Sequence, residues 1–302
     1  MAANSVLAVE LVTADGRIVR ADADTEPELF WAVRGGGGSF GIVTAIELAL
    51  LPIAEVYAGA MFWPIERATE VLSAYAAWAD ALPDEVSTAG RVMQFPPFPD
   101  VPEPLRGKAF AIVEAVVIGD EARGAELVAP MRALEPAMDT IGLVPAASIT
   151  ALHMDPPQPV PGAGDGTMLG EVTSETVAAM VAAAGVGAGS PLLSVELRQL
   201  GGALARRAPG HGAAAALDGA YALYAVGMAP TPEAVAAVHA QLERLLEAME
   251  PWTAERTYFN FTERAVGDDE LYDADTLTRL RAVKAAADPD ELFRVVHPIR
   301  PA

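Results

Sequence analysis

Periodicity in this sequence predicts an α+β fold, with an antiparallel sheet covered by helices on one face and a smaller β-rich unit ahead of it. Three observations carry that prediction. From residue 53 to about 135 the pattern runs strand, helix, strand, strand, helix. From 174 to 249 it runs helix, strand, strand, helix. Residues 5–22, "SVLAVELVTADGRIVRAD", are two β-rich runs joined by Ala-Asp-Gly, a hairpin signal.

Each element has its own local cause. After the hairpin, Thr25 stands three residues before Glu28 with Pro27 between them, which predicts a capping box opening a short helix. Gly35 to Gly38 stop that helix, and "IVTAIELALLPI" is a strand closed by Pro52. "AEVYAGAMFWPI" is the next strand. The following helix places Val71, Leu72, Tyr75, Trp78, Ala79 and Leu82 on one face. Strands are predicted near 86–95 and 109–118, separated by a proline-rich loop, with a helix near 120–135. Residues 155–170, dense in proline and glycine, are expected to be an irregular loop. The second block holds a helix at 174–184, strands near 192–200 and 220–227, and a helix at 231–249 with Thr231 as N-cap and Pro232 behind it. The tail adds a short strand around "TYFNF", a helix at 274–287 and a final turn in "DPDELF".

Composition narrows the function. Twenty Lys and Arg against 41 Asp and Glu give a net charge of −21, a surface that repels phosphate backbones and anionic lipid. Nucleic acid and membranes are therefore poor partners. With no cysteine, disulfides, thiolate metal sites and a cysteine nucleophile are excluded. The histidines, His153, His211, His239 and His297, show no paired ligand spacing, so no metal site is expected. Residues 176–195 are uncharged, but Gly185, Gly187, Gly189 and Pro191 break them into helix, turn and strand. The opening residues lack a basic region before an apolar stretch, which points to a cytoplasmic protein.

The stretch "RGGGGSFGIVT" at 34–44 contains Gly36, Gly38 and Gly41 in the G-x-G-x-x-G spacing of a dinucleotide fingerprint. That fingerprint needs strand, glycine turn, helix, so that a pyrophosphate meets a helix N-terminus. Here the order is helix, glycine turn, strand, and the Rossmann reading fails on context.

Three segments together, "LVTADGRIVRADADTEPELFWAVRGGGGSFGIVT", "TYFNFTER" and "LRAVKAAADPDELFRVVHPI", resemble the berberine-bridge-type FAD-linked oxidases of the vanillyl-alcohol-oxidase-like flavoprotein group. The resemblance runs from residue 5 to the end. It implies the remnant of a PCMH-type FAD-binding domain at 1–53, a substrate-binding domain at 54–255 and a C-terminal segment at 256–302 returning to the flavin domain. It also implies FAD as cofactor, a small-molecule substrate with an alcohol or sugar-like hydroxyl, and molecular oxygen as acceptor. The family normally carries further flavin-binding sequence, including the covalent attachment histidine, ahead of a segment like this one. A separate chain carrying that portion is an expected partner.

The same resemblance assigns site residues. The backbone of Gly41, Ile42 and Val43 would lie along the nucleotide end of FAD; glycine permits close backbone approach, while the plainer reading of the glycine run is a helix cap and tight turn. Tyr258 would sit beside the isoalloxazine and act as base on a substrate hydroxyl, with Asn260 beside it. On a period-2 strand the two face the same way, with Phe259 and Phe261 opposite. A phenol ordinarily titrates near 10, so that role requires surroundings that lower it. The plainer reading is a buried tyrosine bonded to a carbonyl. On "LLSVELRQLGG", Glu196 and Arg198 share one face, which reads first as an ion pair on a solvated surface. Arg198 or Gln199 would be substrate contacts if the sheet floors the pocket. His153 reads as a loop anchor and His297 as structural. Three readings stay open at this point: an oxidase or its subunit, a non-catalytic substrate-binding or assembly module, and a remnant with an exposed strand edge and apolar patch near its N-terminus.

Overall fold

A computed structural model describes residues 1–156 and 158–301. Pro157, within the predicted loop at 155–170, and Ala302 lie outside the described residues. The hairpin forms as its sequence predicts: β1 (Val6–Val12) and β2 (Ile18–Asp22) pair antiparallel from Ala8↔Asp22 to Val12↔Ile18. Gly16 takes φ +80° in the turn, a conformation open to glycine at little cost. The helix α1 (Pro27–Val33) follows, but without the predicted capping box. Glu26 is its N-cap, in a left-handed conformation with no side-chain cap. Asp22 takes the turn donors instead, accepting from the backbone N–H of Asp24 and Thr25 at 3.0 and 2.8 Å. The helix begins one residue later than predicted, so Thr25 stands ahead of the N-cap and has no helix end to cap.

β3 (Ile42–Leu48) returns to pair with β1, giving a three-stranded sheet in the order β2-β1-β3. One side of this sheet packs with Phe30, Trp31 and Phe40 against Leu277, Leu280 and Ile299 from the end of the chain.

The larger sheet is built from β4 (Glu55–Pro64), β5 (Val86–Gln94), β6 (Ala109–Val117), β7 (Met138–Asp139), β8 (Gly142–Pro145), β9 (Gly162–Leu169), β10 (Leu192–Gln199) and β11 (Tyr221–Met228). Its order is β7-β4-β6-β5-β10-β11-β9, with β8 also on β4, and every pairing is antiparallel. The helices α2 (Ala68–Ala79), α3 (Glu121–Arg132), α4 (Ser174–Ala184) and α5 (Pro232–Met249) cover one face. Alternation sets that face: Val113, Ala115 and Val117 of β6, with Val195 and Leu197 of β10, meet Val71, Leu72, Tyr75 and Trp78 of α2 in one core. Leu82, just beyond α2, is only partly buried against it. Thr173 and Thr231 cap α4 and α5 through their side-chain oxygens. Among the described residues no helix is long and apolar enough to cross a membrane.

Two segments depart from the sequence expectation. Residues 162–169 are not loop but the edge strand β9, paired along its whole length with β11. Its glycines are where other chain comes close: a Cβ on Gly166 would lie 2.3 Å from the Leu223 carbonyl oxygen and 2.5 Å from that of Phe261. A strand selected for close approach carries little β-branched signal, which hides it from pattern reading. The second departure is "TYFNF". Tyr258 is the N-cap of a single 3-10 turn, Phe259–Phe261, rather than part of a strand. The edge of the sheet is already occupied by β9, and the segment turns across it. Beyond it come the short α6 (Asp268–Leu271) and α7 (Ala274–Ala287).

Because the Gly166 contact is with backbone on both sides, Gly166→Ala is expected to cost at least about 1–3 kcal/mol through forced displacement. Urea unfolding compared with wild type checks this, and an unchanged midpoint would contradict the close crossing.

Candidate active-site face

The face of the large sheet away from the helices carries the polar residues. By register Glu196 lies directly across from Arg91 on β5 and from Tyr224 on β11, while Glu114 and Arg198 both lie across from Ala89. Four side chains on this face are thus neighbours by construction. Arg91 is 2% exposed and Glu114 5%, so their ion pair at 2.6 Å is largely out of water. Burying charges costs free energy unless each finds partners, and here the partners are shared. His153, from the turn after β8, inserts between the carboxylates: Nδ1 is 2.9 Å from Glu114 Oε2 and Nε2 is 3.0 Å from Glu196 Oε2. Arg91 also donates to the His153 carbonyl at 3.0 Å. Glu196 Oε1 takes Arg198 at 2.9 Å.

Glu196 and Arg198 therefore do not form the solvated ion pair that alternation alone suggests, since Glu196 is 3% exposed. Hydrogen bonds to Glu114 and then Glu196 push the His153 imidazole up to about 9 against the cost of its burial, so it is charged at neutral pH. Burial acts to raise Glu196, but His153 and Arg198 outweigh it and hold the carboxyl below its ordinary range. Gln199, by the same alternation, points with Val195 and Leu197 to the helix-bearing face, so only Arg198 of that pair shares a face with the polar residues.

Over the β11 and β9 end of this face lies the turn bearing Tyr258 and Asn260. Glu263 N and Arg264 Nη1 both bond Asp165, and Arg264 also donates to the Gly166 carbonyl at 2.8 Å. Phe261 packs at 5.8 Å from the Tyr224 ring and 5.7 Å from that of Tyr258, and the Arg198 guanidinium stands 5.2 Å above it. Asn260 Nδ2 donates to Tyr258 Oη at 2.7 Å. The turn thus joins the two residues that a strand was expected to join. It does not send Phe259 and Phe261 to an opposite, core-facing side; both are partly buried around the phenol. Burial raises Tyr258 above the ordinary phenol value, with the Asn260 hydrogen bond acting the other way. This direction is opposite to the one a base at neutral pH requires.

The strip at 41–43 is linked to this turn through the end of the chain. Ser39 Oγ accepts from Ile299 N at 3.0 Å, buried Lys284 donates to the Ser39 carbonyl at 2.8 Å, and His297 Nε2 lies 3.3 Å from the Thr262 carbonyl. Gly41 is not in a left-handed conformation, and a Cβ there would lie 2.6 Å from Leu11 Cδ1. Packing on β1 accounts for the absence of a side chain at this position and leaves its backbone role open to proposal. Ile42 and Val43 are 58% and 44% exposed on β3, an edge strand of the three-stranded sheet. Ile46, Leu48, Leu50 and Leu51 continue that exposed apolar surface. An open backbone edge beside apolar side chains fits a planar heteroaromatic cofactor having both donors and acceptors, and beside the Tyr258 turn the buried Nδ1 of His297 has no partner among the described residues. His153 and the carboxylates it bridges were not assembled by sequence reasoning. The signal was present only as charged residues alternating on strands otherwise rich in apolar ones.

Comparison with known proteins bears on this arrangement. Residues 257–300 match the family model described as "Berberine and berberine like". The chain is 24% identical over 312 residues to the uncharacterized FAD-linked oxidoreductase YgaK of Bacillus subtilis, covering 99% of this chain and 65% of that protein. It is 46% identical over 56 residues to a carbohydrate oxidase of Microdochium nivale, 18% of this chain and 11% of that one. The wild-type BBE-like 1 structure of Physcomitrella patens superposes with a TM-score of 0.80 at 19% identity, over 99% of this chain and 66% of that chain. The fold is thus the one seen in the BBE-like 1 structure, and residues 257–300 are similar to the berberine-like family segment. The chain spans about two thirds of the length of the relatives that it matches end to end.

Since Gly41 is held by Leu11, Gly41→Ala is expected to destabilise the flavin-free protein by about 1–3 kcal/mol. A thermal melt without flavin reads it, and an unchanged Tm would contradict that packing.

Proposed function

We propose that this chain carries the substrate face of an FAD-dependent oxidase that takes hydride from a small organic substrate bearing an alcohol or sugar-like hydroxyl. The observation that carries the reading is the Tyr258–Asn260 pair, held inside the berberine-like segment above the polar face of the sheet. FAD, when bound, supplies the two-electron chemistry and passes the electrons to molecular oxygen. The backbone of Ile42 and Val43 and the amide of Asn260 are the groups assigned to hold it, while Gly41 keeps that strand seated on β1. The exposed apolar surface of β3 is where further flavin-binding polypeptide, from this or a separate chain, would pack.

Within the site, Asn260 donates to Tyr258 Oη and so leaves the phenolic hydrogen free for a substrate oxygen. The phenol stays protonated at neutral pH in these surroundings. Its part is therefore to hold and orient that oxygen, and a base role would need further donors at Oη. Arg198 is the substrate contact assigned on the sheet, its side chain 41% exposed above Phe261.

The test is to add FAD to the purified protein, desalt it and record the flavin absorbance. Retained flavin is expected. Tyr258→Phe is expected to keep the flavin and lower its rate of reduction by substrate by about 10²-fold. A Tyr258→Phe variant reduced at the wild-type rate would overturn the reading, and a protein that stays colourless would leave the flavin to the further polypeptide placed on β3.

A further inference from the structure

The cluster around His153 has no role in the reading above, yet it is the most heavily desolvated set of charges on the candidate face. Arg91, Glu114 and Glu196 are each at most 5% exposed, and the His153 side chain is 29% exposed. These groups come from β5, β6, β10 and the turn after β8, so the cluster ties three strands and one loop together. A route leads from it to the Tyr258 turn. Glu196 gives one carboxylate oxygen to His153 and the other to Arg198, and Arg198 stands over Phe261, which packs on Tyr258.

We propose that His153 is a positioning residue for the Tyr258 turn: by bridging Glu114 and Glu196 it fixes the carboxylate that holds Arg198 against Phe261. The inference rests on the proposed function only in calling that turn catalytic; the contact route stands without it. The geometry demands the bridge. Glu196 is reached by His153 and Arg198 from opposite oxygens, and loss of either leaves a buried carboxylate free to rotate toward the other. The charges facing the imidazole are Glu114 from β6, Arg91 from β5, and Glu196 with Arg198 from β10. The two carboxylates favour its charged form, and Arg91 opposes it.

The sign of the pH dependence follows. The folded value near 9 lies above the ordinary 6.5, so the bridge's contribution to stability is fully present below about 6.5 and is lost as pH rises through about 9, while in the folded chain the imidazole stays charged until pH nears 9. Charged and neutral His153 should therefore give two settings of the turn, the tighter one at neutral pH.

Aromatic-ring and imidazole NMR on the flavin-free chain tests this. His153 is expected to titrate with a midpoint near 9, and the ring resonances of Phe261 and Tyr258 to shift with the same midpoint. In His153→Gln, which keeps hydrogen-bonding capacity without a titrating charge, that ring transition should vanish. Rings that stay still through the His153 transition, or a ring transition that persists in His153→Gln, would overturn the proposal. Should His153→Gln fail to fold, Arg198→Lys keeps a cation for Glu196 but loses the planar stack on Phe261. His153 should still titrate in it while the Tyr258 ring no longer follows, and a ring that still follows would sink the relay. None of these readouts needs flavin, so failure of the oxidase reading, seen as a Tyr258→Phe variant reduced at the wild-type rate, is separable from failure of this one.

Discussion

The crossing of residues 257–264 over the glycine strand β9 is the constraint on which the candidate site depends. A side chain at Gly166 would hold the crossing chain away from the sheet, its Cβ lying 2.5 Å from the Phe261 carbonyl oxygen, and one at Gly164 would displace the Tyr224 hydroxyl that donates to Glu263. With both bare, Asp165 can accept from the Glu263 amide and the Arg264 guanidinium together. Phe261 is thereby brought down between Tyr224 and Arg198, and Tyr258 with it. The cost is the conformational entropy of ordering a glycine-rich strand, offset by its ladder with β11 and by this crossing.

Around that crossing the sheet divides its labour. The helix-bearing face is apolar and holds the main core, while the opposite face keeps buried charges in shared pairs. Such pairs contribute little net stability compared with apolar packing, because desolvation consumes most of the attraction. Their effect here is orientation: each carboxylate oxygen of Glu196 has a single designated partner. The small sheet is joined to the same site from the other side. Ser39 is held by Lys284 and by Ile299, and Lys284 in turn pairs with Asp288, so the end of the chain fastens the loop before β3.

Elements whose signal is local could be read from the sequence. The helices α4, α5 and α7 carry caps and apolar spacing of their own, and Val71, Leu72, Tyr75, Trp78 and Ala79 of α2 are buried as the 3.6 period requires. Elements whose form depends on remote partners could not. β9 is a strand because β11 and Phe261 lie against it, and Thr25 caps nothing because α1 begins one residue later, with Glu26 as its N-cap. Tyr258 and Asn260 were legible as a pair from the family resemblance, while their geometry, a 3-10 turn with a direct hydrogen bond, was not. His153 and Glu114 are 39 residues apart, and the sheet alone brings them within 2.9 Å. Alternation already put Arg198 and Gln199 on opposite faces in sequence, and the register shows which of those faces carries the helices.

The central claim is that the edge strip at 42–43 and the Tyr258 turn border one flavin site. Amide hydrogen exchange, with and without FAD, tests it most directly. The account predicts that FAD slows exchange together in β3 and in residues 257–264, and leaves α4 and α5 on the far face unchanged. Protection confined to one of the two segments, or appearing only on the helix-bearing face, would contradict it.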